Sequence, residues 1–136
     1  MEKTIALELG FSSQLNSVMA KKIYLLEDDQ AMRDVVTILL EDENYQVEAF
    51  ASVSEFMRRD NHHLADLFIL DVMPDGHGID VCSLLKNNES TRQIPVLMMS
   101  VDPSSTIIEQ SCTAQGFMAK PFHIDSLLAE VAASLQ

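Results

Sequence analysis

Four short apolar runs each stop abruptly on a polar residue, and that repeated break constrains the fold more than any other feature of the sequence. Ile23–Leu26 ends at Glu27, Leu67–Leu70 at Asp71, Pro95–Met99 at Ser100, and Phe117–Ala119 at Lys120. Short, wholly apolar runs are what strands covered on both faces look like. Helical patterns separate them. Met32, Val35, Val36, Leu39 and Leu40 fall on one face of a helix running to about Glu43. Gln46–Phe50 reads as another strand, and Ser52-Val53-Ser54-Glu55 is a capping box opening a helix through about Arg59. Gly78 precedes a third helix to about Asn87. Pro103, behind Asp102 as cap, opens a fourth through about Ala114. Ile124, Leu127, Leu128, Val131 and Leu135 mark the last. Five βα units predict an α/β fold: a five-stranded, doubly wound parallel sheet.

A chain of 136 residues suits one such domain. Residues 1–20 lack periodicity, and Met19-Ala20-Lys21-Lys22-Ile23 looks like the start of a gene product. Residues 1–20 are therefore expected to be an N-terminal extension and residues 21–136 the folded domain. The net charge is −12, from 9 Lys+Arg against 21 Asp+Glu, which argues against nucleic-acid binding and favours basic partners or a bound cation. No apolar run approaches the roughly 20 residues of a membrane span, and the N-terminus has no secretory h-region. Cys82 and Cys112 match neither a zinc pattern nor a disulfide framework, so both are expected to be buried thiols in a reducing cytoplasm.

In a doubly wound sheet the carboxyl ends of the strands share one rim, where ligands bind. Glu27, Asp28, Asp71, Ser100 and Lys120 should converge there. Three adjacent carboxylates repel one another and resist ionising without a compensating cation. A hard divalent ion is the natural partner, and Mg²⁺ is usually held by one or two carboxylates with phosphate oxygens and water. Lys120 adds a second positive charge and Ser100 a hydroxyl donor, completing the equipment for phosphoryl transfer onto a carboxylate. Singly, an acidic pair is often a helix cap and an Asp before a turn is usually turn chemistry. The joint placement at strand ends carries the reading.

The same segments bear a family likeness. Ile23-Tyr24-Leu25-Leu26-Glu27-Asp28-Asp29 resembles the opening of response-regulator receiver domains, and Asp66–Asp71 with Met73-Pro74 and Gly78 resembles their phosphoacceptor segment. Pro95–Ser100 and Phe117-Met118-Ala119-Lys120-Pro121-Phe122 are similar to the remaining two motifs, in the right order. The resemblance implies a flavodoxin-like (βα)5 receiver fold and a two-component switch, phosphorylated on Asp71 by a histidine kinase or histidine phosphotransfer protein in the presence of Mg²⁺. It implies a phosphoacceptor rather than an enzyme with its own substrate, with self-dephosphorylation and a downstream protein target. Asp28 would ligate the metal directly and Glu27 through water, with Asp71 and the Met73 carbonyl completing the set. Ser100 and Lys120 would hold the phosphoryl group, Phe117 would swing inward behind Ser100, and Lys120-Pro121 would be cis.

Three departures stand out against that pattern. Two residues rather than three separate Asp71 from Pro74, which tightens the metal loop and puts Met73 before a proline that favours extended geometry. Val101 stands where the family has a small residue, at the phosphate entrance. Ser100 and Lys120 are closer in sequence than usual, shortening the fourth helix or its loop. These departures leave a rival reading, a phosphorylation-independent docking module with an impaired site. An aspartyl phosphatase would need a second acid where Met73 stands. His77 is expected to be an exposed loop residue, His62 and His63 surface residues, and the eight methionines core filler.

Overall fold

The computed structural model describes residues 20–60, 64–101 and 113–136. Its elements run β1 (Lys22–Leu26), α1 (Gln30–Asp42), β2 (Gln46–Phe50), α2 (Val53–Met57), β3 (Leu67–Asp71), α3 (His77–Lys86), β4 (Val96–Ser100), β5 (Gly116–Ala119) and α4 (Ile124–Ser134). All strand pairs are parallel and the order is β2-β1-β3-β4-β5, the expected doubly wound sheet. The winding reverses between β1 and β3, so the loops after those strands open outward from a shared crevice.

The uniform hydrophobicity of β1, β3 and β4 follows from burial on both faces. Tyr24, Leu26, Phe68, Leu70, Val96 and Met98 face one core layer, which Phe56 of α2 and Val81, Cys82 and Leu85 of α3 complete. The alternate residues Ile23, Leu25, Leu67, Ile69, Leu97 and Met99 face the other, against Val36 and Leu40 of α1 and Leu127 and Val131 of α4. A helix as short as α2 has little stability of its own. Tertiary packing holds it: Phe56 is fully buried, with its ring centroid 5.2 Å from that of Phe50, and the Ser52 hydroxyl accepts the Glu55 amide at 3.1 Å as the capping box requires.

Several local expectations are corrected. Gly78 does not precede α3 but is its second residue, and His77 opens that helix instead of lying in a loop. A Cβ on Gly78 would collide with the Asp71 carbonyl oxygen and lie 2.9 Å from Val72 Cα, so the sheet-to-helix crossing admits only glycine without movement. Met73 is not extended: its φ is +66°, and its carbonyl accepts the Gly76 amide at 3.0 Å in a tight turn. Closing the shortened loop outweighs the bias set by Pro74. Cys82 is buried but disulfide-bonded, so the expectation of a free thiol fails, and with it the argument for a reducing compartment. Cys112, the other cysteine, lies outside the described residues, as do His62, His63 and the leader up to residue 19. So does nearly all of the helix expected from Pro103; its last expected residue, Ala114, is not helical.

Candidate functional site

Each site residue stands where a strand gives out. β1 runs buried through Leu26 and releases Glu27, whose backbone amide is tied to the Phe50 carbonyl of the adjacent β2 at 3.1 Å. Asp29 then caps α1, its carboxylate accepting the Met32 amide at 2.8 Å. This confines Asp28 to the rim and confirms Asp29 as a helix-start acid. β3 delivers Asp71 opposite Met99 of β4. One residue further, Ser100 pairs with Ala119, and its carbonyl accepts the Lys120 amide at 2.8 Å, so β4 and β5 set Ser100 and Lys120 in fixed relation. The Lys120–Pro121 peptide is cis.

These ends meet. Glu27, Asp28, Asp71, Ser100 and Lys120 line one cavity of about 270 Å³, whose wall also includes Met73 and Val101. Lys120 Nζ lies 2.9 Å from Glu27 Oε1 and 3.2 Å from Asp71 Oδ1, bridging two carboxylates that are 93 and 49 positions away in sequence. Glu27 is completely buried, and its other oxygen accepts the Asp29 amide at 3.1 Å. Burial raises the Glu27 pKa above its ordinary 4.5 and the neighbouring Asp71 adds to the shift, although the bonds from Lys120 and the Asp29 amide pull the other way. For Lys120, burial alone would lower the pKa. The hydrogen bond to Glu27 and the negative charge of Asp71 overcome that, and the net shift is upward from 10.5, which keeps the ammonium charged.

Carboxylate oxygens of Glu27, Asp28 and Asp71 all lie within 4.8 Å of one another, close enough for one small cation to touch all three. A cluster of hard oxygens with partial burial fits Mg²⁺ by charge and by donor type. Met73 also lines the cavity, although its carbonyl is already engaged by Gly76. Val101 is 82% exposed: it stands at the mouth and does not fill the interior. Phe117 is half-buried on β5, opposite Met98 and packed against the core layer that contains it. His77 is absent from the cavity wall; it pairs with Asp75 at 3.1 Å, both side chains being more than half exposed.

Sequence reasoning missed Arg33. Its guanidinium Nη1 donates to the Glu27 carbonyl at 3.0 Å and, more weakly, to the Asp28 carbonyl at 3.4 Å. The available signal was its position one helical turn after the capping Asp29, which directs a long side chain back over the loop that precedes α1.

The chain matches the model of the response regulator receiver domain over residues 23–132. It is 30% identical over 121 residues to the phosphate regulon transcriptional regulatory protein PhoB of Rhizobium meliloti, covering 87% of this chain and 53% of that protein. To the response regulator protein TodT of Pseudomonas putida it is 34% identical over 120 residues, covering 86% and 52%. The chain thus spans about half the length of these curated relatives. Among solved structures, the chemotaxis response regulator CheY4 of Vibrio cholerae superposes with a TM-score of 0.78 at 25% identity, covering 86% of this chain and 100% of that one.

Proposed function

Because this chain belongs to the response regulator receiver domain family, the phosphorylated switches of two-component signalling whose partners are histidine kinases, we propose that Asp71 is the carboxylate that accepts the phosphoryl group. The observation that carries this reading is the Lys120 ammonium held 3.2 Å from Asp71 in a cavity shared with two further acids. An Asp71 oxygen would attack phosphorus in line, forming the O–P bond as the donor's P–N bond breaks and the imidazole departs. Little covalent chemistry is then asked of the protein beyond positioning and charge stabilisation.

Lys120 would pair with the incoming phosphoryl oxygens, and the Ser100 hydroxyl would donate to one of them. Glu27, Asp28 and Asp71, with the Met73 carbonyl, would hold Mg²⁺. Bound there, the ion would neutralise charge on the transferring group. Once Ser100 is engaged, Phe117 would move further into the core behind it, changing the β5 surface that a downstream protein target reads. We assign no direct nucleic-acid contact to this domain, since its net charge is −12. Among the described residues no helix is long and apolar enough to cross a membrane. The docking-module alternative is not favoured, since the five polar residues are all present and share one cavity.

Incubation with acetyl phosphate and Mg²⁺ should label the protein at Asp71 alone, and Asp71→Asn should abolish the label. A label that persists in that variant, or that maps to Asp75 or Asp80, would refute the assignment.

A further inference from the structure

Resting on the proposed cation site, we infer that Arg33 is a positioning residue for that site, acting through the backbone that carries Glu27 and Asp28. The two acids sit between β1 and α1, in a stretch too short for regular structure. Its start is held by the Glu27 amide on Phe50 and its end by the Asp29 cap. Between those anchors lie the carbonyls of Glu27 and Asp28, which accept from the Arg33 side chain. Among the described residues, Arg33 is the side chain recorded donating to them, from one nitrogen to both, at 3.0 and 3.4 Å. Arg33 is itself fixed on α1, where its amide donates to the Asp29 carbonyl at 2.9 Å and its carbonyl accepts the Thr37 hydroxyl at 2.7 Å. Glu27 and Asp28 are therefore tied to the helix through Arg33 as well as through the Asp29 cap.

Two opposite effects are possible for a cation so placed, and their signs differ. A guanidinium close to an acidic cation site competes electrostatically with a dication, so its removal would tighten metal binding. A guanidinium that holds ligand-bearing backbone in place supports the ligands, and losing an outer partner of that kind typically costs 10- to 100-fold in metal affinity. The hydrogen-bonded carbonyls belong to the ligand residues themselves, and the charge is partly exposed, where solvent screens it. Positioning therefore wins.

The test is Mn²⁺ titration of the intact protein, with free ion counted by electron paramagnetic resonance, for the native protein, Arg33→Gln and Arg33→Lys. Both variants should bind about tenfold more weakly, with metal-free melting and circular dichroism showing that the fold persists. Lysine keeps the charge but loses the planar fork, so it should not rescue. Tighter binding in Arg33→Gln, or native affinity in Arg33→Lys, would overturn the inference by showing that only charge matters. If Arg33→Gln does not fold, Arg33→Lys alone decides. Should the native protein bind no Mn²⁺, the cation site itself fails and takes this inference with it; native binding with unchanged variants refutes Arg33 alone.

Discussion

Replacing Gly78 with alanine asks how tightly the shortened loop holds the acceptor strand. A Cβ at residue 78 would overlap the Asp71 carbonyl oxygen and lie 2.8 Å from the Asp71 carbonyl carbon and 2.9 Å from Val72 Cα. All three are backbone atoms of β3 or its exit, and the nearby Gly78 amide is bonded to the Val72 carbonyl at 3.1 Å, so no side chain can yield. Overpacking of this kind costs up to about 3 kcal/mol. Alanine regains up to about 1 kcal/mol of helix propensity, which leaves a net loss of about 2 kcal/mol. For a domain of this size that corresponds to a fall in Tm of roughly 6–10 °C. Gly76→Ala is the control: with φ at +80° and nothing within 4 Å, it should cost roughly 1–2 kcal/mol of backbone strain while leaving Asp71 where it is. Thermal melts and acetyl phosphate labelling separate the two. Both variants should melt lower, but only Gly78→Ala should also label more slowly. Native melting and native labelling in Gly78→Ala would refute the close approach as a constraint on the site.

Other outcomes follow from the same geometry. Asp28→Ala should weaken Mg²⁺ binding most among single carboxylate changes, read by calorimetric titration; equal affinity in the native protein would show that Asp28 is not a ligand. Lys120→Ala should retain Mg²⁺ binding yet uncouple phosphorylation from the change at Phe117, read by the fluorine NMR signal of fluorophenylalanine-labelled protein. A native response would show that Ser100 suffices. The Lys120 pKa is raised above 10.5 in the folded state, so its pairing stabilises the fold fully below that pH and is lost as pH climbs through the raised value. The stability gap between native protein and Lys120→Met should therefore hold through neutral pH and close only above 10.5; a gap that closes near neutrality would show that the lysine is not held charged. Val101→Ala should hasten both loading from small donors and decay of the phosphorylated form. With Val101 at the mouth, 82% exposed, the change should be tenfold at most, corresponding to about 1.4 kcal/mol; equal rates would show that it does not gate access.

The strands were legible because burial on both faces leaves a plain mark, an apolar run ended by a polar residue. The rim position of Asp71, Ser100 and Lys120 followed from topology. What the sequence hid were matters of local closure. Met73 before Pro74 carries a bias toward extended backbone, but the need to return from β3 to α3 in few residues imposes φ +66°. Gly78 read as a helix boundary, whereas its function is to let the α3 backbone touch the Asp71 carbonyl, a close approach that no periodicity reveals. Arg33 escaped because a long side chain reaching backward to carbonyls is indistinguishable, in sequence, from a solvated helical arginine. Cys82 looked like an isolated thiol because two cysteines 30 positions apart carry no pairing signal, yet it is disulfide-bonded.

The charge arrangement also implies an order of events at the site. With Glu27, Asp28 and Asp71 ionised against one Lys120 ammonium, three negative charges and one positive leave a net of −2. A phosphoryl donor brings roughly 1.5 to 2 further negative charges, so its approach is opposed until a divalent cation balances the site. Lys120 cannot supply that balance alone, because its 2.9 Å bond to the buried Glu27 offsets the cost of keeping that carboxylate charged at full burial. If the lysine swung wholly to the phosphoryl group, Glu27 would be left buried and uncompensated, and it would take up a proton, the direction in which its pKa is already shifted. Cation binding should therefore precede phosphorylation and free Lys120 to share its charge. Phosphorylation rates should accordingly saturate with Mg²⁺ at any fixed donor concentration, and without Mg²⁺ a higher donor concentration should not restore the saturated rate; Glu27→Gln, which releases the lysine but removes one of the acids that would hold the ion, should raise the Mg²⁺ needed for half the maximal rate. A rate that high donor concentration restores without the ion would show that cation binding need not precede phosphorylation.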